Sequence, residues 1–148
     1  MKEPVYVDSN VFLYPVLYSA EMDSRVKKAK EILKSIANGE LSAFTSALTW
    51  DEIVWVVKKT MGTTEAINQG QKLIGFINLH FISVDETVLS QAQGLMGKYN
   101  LNPRDAIHVA SALSRKLQTI ISDDQDFDII KEIKRIPLLP DQYKNQIL

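Results

Sequence analysis

The sequence predicts an α/β fold, a parallel sheet of four to five strands sandwiched by helices. Three observations lead there. Short strand-like apolar runs alternate with longer stretches of helical periodicity, the α/β pattern. Capping and turn residues stand at the junctions between them. The 148 residues, with no internal repeat and no Gly/Ser linker, read as a single domain over 1–148. A chain of that length buries roughly two-thirds of its unfolded surface, enough for a real core.

Val5-Tyr-Val7 is the first strand, ending at the turn and cap cluster Asp8-Ser9-Asn10. Val11 to Tyr14 opens a helical segment that Pro15 limits. Asp23 or Ser24 caps the next helix, which runs to about Ala37. Val26, Ala29, Ile32, Leu33, Ile36 and Ala37 lie on one of its faces, and Asn38-Gly39 closes it. Leu41 to Thr45 reads as the second strand. Ser46 to about Met61 is a helix stopped by Gly62; Ile53-Val-Trp-Val-Val57 has strand propensity, but the segment is too long for a strand. Thr64 to Ile77 is another helix, weakened by Gly70 and Gly75. His80 to Val84 is the third strand. Ser83-Val-Asp-Glu86 reads as a capping box, followed by Val88, Leu89, Ala92, Leu95, Met96 and Tyr99 at helical spacing. Asn102-Pro103-Arg104-Asp105 begins a helix that continues to about Lys116, with an N-cap, a proline at the first helical position and a first-turn carboxylate. Thr119 to Ser122 is the fourth strand, Asp124 to about Glu132 a short helix, and Arg135 to Leu139 a fifth strand. Pro140 to Leu148 carries no assignment.

Composition narrows the function. There is no cysteine, which excludes a disulfide scaffold, Cys-ligated zinc, an iron–sulfur cluster and a thiol nucleophile. His80 and His108 are the only histidines, too few for a multi-histidine metal site. No apolar run approaches the roughly 20 residues of a membrane span. Met1-Lys2-Glu3-Pro4 leads into a strand-like run rather than a signal peptide, so a cytoplasmic protein without a membrane partner is expected. Formal net charge is -1, with 17 Lys+Arg against 18 Asp+Glu, so a nucleic-acid surface requires local segregation of charge. The run Arg25-Val-Lys27-Lys28-Ala-Lys30, with Lys34 after it, is either such a patch or a solvated helix face.

Acids recur at the ends of elements. Asp8 ends the first strand, Glu52 lies in the helix after the second, Asp105 is in a first helical turn, and Asp123, Asp124 and Asp126 follow the fourth strand. In an open parallel sheet the carboxyl ends of the strands form one edge, where ligands bind. Each acid also has a purely structural reading. Asp8 and Asp124 serve as caps, Glu52 closes a Thr49-Trp-Asp-Glu52 capping box, and Asp105 complements a helix dipole. Converging together, three or four carboxylates repel strongly unless a cation is present or some stay protonated. Oxygen donors without Cys suit Mg²⁺ or Mn²⁺, which activates water and stabilises charge at phosphorus. The chemistry indicated is metal-dependent hydrolysis of a phosphodiester or phosphomonoester.

In combination these segments resemble the PIN-domain family, most closely the toxin ribonucleases of VapBC toxin–antitoxin systems. Val5-Tyr-Val-Asp8-Ser-Asn10 resembles the family's opening strand and Asp-x-Asn turn. Thr45-Ser46-Ala-Leu-Thr-Trp-Asp-Glu52 resembles its second strand and Glu-bearing helix. Leu101-Asn-Pro-Arg-Asp105-Ala-Ile-His-Val-Ala110 resembles its third acidic motif, and Ile120-Ile-Ser122-Asp-Asp124-Gln-Asp126-Phe127 its fourth, with Ser122 for the commoner Thr. The likeness runs from Val5 to about Pro137. It implies Mg²⁺- or Mn²⁺-dependent cleavage of RNA leaving 5′-phosphate and 3′-hydroxyl ends. The catalytic and metal-site acids it implies are Asp8, Glu52, Asp105 and Asp124, with Asp126 a fifth metal ligand and Asn10 and Ser122 supporting polar groups. Asp123 falls at a variable family position. RNA, a cognate antitoxin and a homodimer are the partners it implies. Arg104, Arg25 and Lys28 are the cations expected to meet RNA, while Tyr14, Tyr18 and Trp50 either stack on bases or pack internally. His108, one turn past Asp105, either sees the site or is a packed, hydrogen-bonded histidine.

Three other readings are weighed at this level. A non-catalytic PIN-like module that binds RNA or protein would lack the metal site. A haloacid-dehalogenase-type phosphatase wants a second Asp two residues after Asp8, where this chain has Asn10. A phospho-receiver domain wants a Lys after a late strand that here ends in Ser122 and acids.

Overall fold

Val5, Tyr6 and Val7 are all buried, and they form the central strand of a five-stranded parallel sheet. The structure, a computed structural model, describes residues 3–139. In chain order its elements are β1 (Val5–Val7), α1 (Ser9–Leu17), α2 (Ser24–Ala37), β2 (Ala43–Ser46), α3 (Ala47–Met61), α4 (Thr63–Ile74), β3 (Leu79–Ile82), α5 (Glu86–Tyr99), α6 (Pro103–Ser114), β4 (Thr119–Ile121), a 3-10 turn (Gln125–Ile129) and β5 (Lys134–Ile136). The strand order is β3-β2-β1-β4-β5. The chain therefore winds outward from β1 in one direction, then returns to its other side with β4. That reversal makes the carboxyl edge between β1 and β4 the topological switch point. Val7 pairs with Ile121, which sets Asp8 beside Ser122 at that edge.

Alternation along the strands divides the core in two. Val5, Val7, Ala43 and Ile121 pack with α1 to α4 on one face. Tyr6 and Ile120 pack with α5, α6 and Phe127 on the other. Each fully buried Val, Ile or Phe side chain contributes about 1.5–3 kcal/mol. The reach of this core holds the strand ends, and the acids that follow them, in fixed positions.

The sequence places the elements well and some of their details less well. Pro15 lies inside α1 rather than limiting it. It sits in the last turns of a nine-residue helix, so its missing N–H removes one bond while Leu17 still ends the element. Ser83 does not cap α5; the cap is Asp85, whose carboxylate accepts from the Val88 N–H at 3.0 Å. Thr49 does not open a capping box, because α3 already begins at Ala47. Its hydroxyl instead meets Thr45 Oγ1 at 2.7 Å. The helix expected to reach Ile77 ends at Ile74, with Gly75 as its cap. The one expected to reach Lys116 ends at Ser114, and the short helix after Asp124 is a 3-10 turn.

Two glycines have definite roles. Gly62 alone joins α3 to α4 with φ of 93°, a value that strains any side chain. Gly70 lets α4 close on α3: a Cβ there would lie 2.9 Å from Trp50 Nε1 and 3.0 Å from Val54. The glycine read as a weakness of the helix is thus required by its packing. Pro140 to Leu148 lies outside the described residues.

Candidate functional site

Each acid is delivered to the carboxyl edge by a different element. Asp8 is the N-cap of α1 immediately after β1. Glu52 is in the second turn of α3, which follows β2 without a loop. Asp105 is in the first turn of α6, and Asp124 caps the 3-10 turn that follows β4, with Asp126 inside that turn. The side chains gather in two groups: Asp8, Glu52 and His108, and Asp105, Asp124 and Asp126. In each group one ligand atom per residue lies within 4.8 Å of the others.

The first group is buried and internally balanced. Asp8 is only 5% exposed. Its Oδ1 accepts from the Ser9 N–H at 2.7 Å, and its Oδ2 from Ser122 Oγ at 2.6 Å and Asn10 Nδ2 at 3.2 Å. Ser122 Oγ also accepts from the Asp124 N–H at 3.0 Å, tying the two strand ends together. His108 is completely enclosed, with Nε2 2.5 Å from Glu52 Oε1 and 3.4 Å from Asp8 Oδ1. Its Nδ1 lies 2.7 Å from the Tyr6 hydroxyl, which lies 2.8 Å from Ser46 Oγ. Burial opposes a charge on this imidazole, but Tyr6, Asp8 and Glu52 together outweigh it and hold its pKa well above the ordinary value. As an imidazolium it donates from both ring nitrogens, and the Tyr6 hydroxyl, accepting from Nδ1, donates its hydrogen bond to Ser46 Oγ.

The second group is compensated only in part. Burial, then the charges of Asp124 and Asp8, raise Asp105 from the ordinary 3.8 to about 6. Burial also raises Asp124, assisted by Asp126 and Asp8 and opposed by the Asp126 N–H and by Arg135. A groove of about 490 Å³ opens alongside, lined by Asp105 and Asp126 together with Tyr99, Asn102 and Gln125. Hard oxygen donors, converging and short of positive charge, fit Mg²⁺ or Mn²⁺. The imidazole nitrogen nearby, His108 Nε2, is already engaged by Glu52 and Asp8, so it does not make the donor set softer.

The remaining sequence-derived residues lie as follows. Asn10 and Ser122 both bond to Asp8. Asp123 turns away from the cluster: Tyr14 Oη donates to it at 2.7 Å and Arg25 at 2.8 Å. Burial and this carboxylate push the Tyr14 hydroxyl above its ordinary range. Arg25 is further paired with Asp23 at 2.7 Å and stands over the Tyr14 ring. Lys28 is exposed on α2 beside a shallow pocket that also involves Glu31 and Glu40. Arg104 is exposed at the start of α6, with its guanidinium carbon 6.0 Å from the Trp55 ring centre. Trp50 packs on Gly70. His108 is the participant sequence reasoning undervalued. Its spacing of three from Asp105 was the available signal, and being packed proves no bar to meeting the acids.

Comparison with known proteins agrees with this architecture. A family model described as PIN domain matches residues 5–133. A search of curated proteins gives no significant match. Among solved structures, Mycobacterium tuberculosis VapC20, a sarcin–ricin loop cleaving toxin, superposes with a TM-score of 0.69 at 16% identity, covering 86% of this chain and 95% of that one. A toxin–antitoxin complex from Klebsiella pneumoniae gives 0.62 at 19%, covering 91% and 98%. DNA-bound VapBC from Salmonella typhimurium gives 0.66 at 12%, covering 93% and 100%. At these identities the likeness is one of fold.

Proposed function

The chain belongs to the PIN-domain family, and from that premise we propose that residues 1–148 form one nuclease domain, a Mg²⁺- or Mn²⁺-dependent endoribonuclease acting as the toxin of a VapBC-type toxin–antitoxin pair. The observation that carries this reading is the pairing, at one switch point, of a carboxylate group bonded to His108 with a second whose members raise one another. Simple capping acids have no reason to converge so that, on top of burial, the charges of Asp124 and Asp8 raise Asp105 and those of Asp126 and Asp8 raise Asp124.

In this reading Asp8, Asp105 and Asp124 hold the ion, with Asp126 beside them. The ion supplies charge neutralisation at the phosphate and a more acidic water. Glu52 has Oε1 fixed by His108, which leaves Oε2 to complete the ion's ligands or to take the proton of the attacking water. The water oxygen bonds to phosphorus, the bond from phosphorus to the 3′ oxygen breaks, and that oxygen gains a proton. The products are a 5′-phosphate and a 3′-hydroxyl. Asn10 and Ser122 orient Asp8 through the bonds already described. Of the three sequence-derived cations, Arg104 stands next to Asp105 and is placed to meet the RNA strand. Arg25 and Lys28 would act from α2, Arg25 through a side chain that already bonds Asp123.

No helix among the described residues is long and apolar enough to cross a membrane, and we assign the protein to the cytoplasm with its RNA. Phe12, Pro15 and Val16 of α1 face Ile53, Leu73 and Phe76 across an apolar groove of about 500 Å³. Because the similar structures include toxin–antitoxin complexes, we assign this groove to an apolar segment of an antitoxin and take a homodimer as the working assembly.

The test is cleavage of a mixed pool of single-stranded RNA with Mg²⁺, with Mn²⁺ and with EDTA, with Asp105→Asn alongside. Cleavage that requires metal and falls at least ~10²-fold in the variant supports the assignment. Cleavage that persists in EDTA or in the variant removes it.

A further inference from the structure

We infer that Trp55, flanked by Lys59 and Arg104, is a base-stacking subsite for single-stranded RNA on the rim of the acid cluster. The inference rests on the nuclease reading and adds to it where the strand lies.

Glu52, Trp55 and Lys59 follow at i, i+3 and i+7 on α3, so they form one stripe along that helix. Arg104 directly precedes Asp105 at the start of α6. The indole therefore stands between the two helices that carry Glu52 and Asp105, in touch with a cation from each. Lys59 Nζ lies 3.9 Å from its ring centre and the Arg104 guanidinium carbon 6.0 Å. Half of this large apolar side chain, 51%, is left open to solvent.

Two contrasts set this group apart. Trp50 is also partly exposed, but its indole closes against Gly70 and Val54 supports the same contact, so it belongs to the α3–α4 packing. Among the described residues neither Lys59 nor Arg104 forms an ion pair; they share this with most of the lysines and differ from them in standing against an indole. They are uncompensated positive charges at the border of a strongly acidic cluster. A polyanion approaching that cluster needs such charges at its border. A π-face between an ammonium and a guanidinium accepts any base by stacking and binds the phosphates on either side of it. The ligand class is thus an unpaired nucleotide next to the scissile phosphate, read by shape and charge rather than by base identity. The two cations that hold the indole in the free protein move onto the phosphates when a base takes their place.

The experiment uses the full chain and a pool of short random-sequence single-stranded RNA. The chain has two tryptophans, so Trp50→Phe leaves Trp55 as the sole emitter; Asp105→Asn in the same protein stops turnover. Adding RNA should quench that emission. In the Asp105→Asn background, Trp55→Ala should weaken binding about ten- to hundredfold, the scale of one lost base stack, and Trp55→Phe should restore part of it. In the otherwise intact enzyme, Trp55→Ala should raise KM by a similar factor with kcat changed by less than about threefold, the mark of lost uniform binding. Lys59→Ala and Arg104→Ala should each reduce the salt slope of binding by about 0.7. Unquenched emission and unchanged affinity, with the unmodified protein still cleaving the pool, overturn the subsite and leave the nuclease standing. A loss of affinity that tracks a loss of oligomer mass in sedimentation also overturns it, since Trp55 is then an interface between copies. If the unmodified protein neither binds nor cleaves the pool, the nuclease reading falls and this inference falls with it.

Discussion

Asp8 and Asp105 stand at the same sheet edge and feel each other's charge, yet they are held in opposite ways. Around Asp8 the fold has supplied every counterweight: a backbone N–H, a serine hydroxyl, an asparagine amide and the enclosed His108 that it shares with Glu52. Around Asp105 it has supplied further acids. The donors to Asp8 come from its own strand end, from the end of β4 and from α6. Asp105, raised first by burial and then by the charges of Asp124, Asp8 and Asp126 against the pull of His108, is pushed up to about 6. The difference teaches that the protein's own donors serve one side of the site, while the other side gathers acids whose charges a bound cation would offset.

The strongest way to break this comparison is Asp105→Asn. It should reduce RNA cleavage by ~10²–10⁴-fold while making the metal-free protein more stable, because it deletes repulsion rather than support. The pH dependence carries the same sign. The folded value of Asp105 lies above its unfolded one, so its favourable contribution is complete below 3.8 and is lost as pH rises through about 6. Metal-free wild type should lose stability across that window relative to Asp105→Asn, and Mn²⁺ affinity, followed by calorimetry, should fall as pH drops below about 6.

His108→Ala probes the other half and should act in the opposite direction. Removing one member of a buried ion pair costs about 3–5 kcal/mol, readable by denaturant unfolding. Because the folded pKa of His108 is raised, its contribution is present below the unfolded value and lost as pH climbs through the folded one. The gap between wild type and variant should therefore be wider at about pH 6 than at about pH 9.

Ser122→Ala sharpens the comparison at its seam. It removes the donor to Asp8 and the acceptor of the Asp124 N–H together. A loss of about 1–3 kcal/mol is expected by the same unfolding measurement. Asp126→Asn should have the smallest effect, about threefold or less on Mn²⁺ affinity, since this acid is exposed and its charge is solvent-screened.

Much of this arrangement is legible in the sequence because it depends on local signals. The strand Val5–Val7 ending at Asp8, the Asn102-Pro103 helix start before Asp105 and the acids after Ile121 are each fixed by a few adjacent residues. Three features are not legible in that way, the first two because they depend on distant partners. His108 reads as one more position on the buried face of α6; only the approach of α3 and β1 turns it toward Glu52, Asp8 and Tyr6. Trp55 sits inside an apolar run, Ile53 to Val57, and its exposure follows from what α6 leaves uncovered. Asp85 displaces Ser83 as a cap because β3 ends at Ile82 and α5 begins only at Glu86, which leaves the extended Asp85 as the residue before the first turn.

The most direct test of the two-sided site is a thermal unfolding series of wild type and Asp105→Asn at neutral pH, metal-free and with increasing Mn²⁺. The account predicts that metal-free Asp105→Asn melts above metal-free wild type, and that Mn²⁺ raises wild type progressively while leaving the variant where it was. A variant that melts below wild type without metal, or that Mn²⁺ stabilises as well as it does wild type, would contradict it.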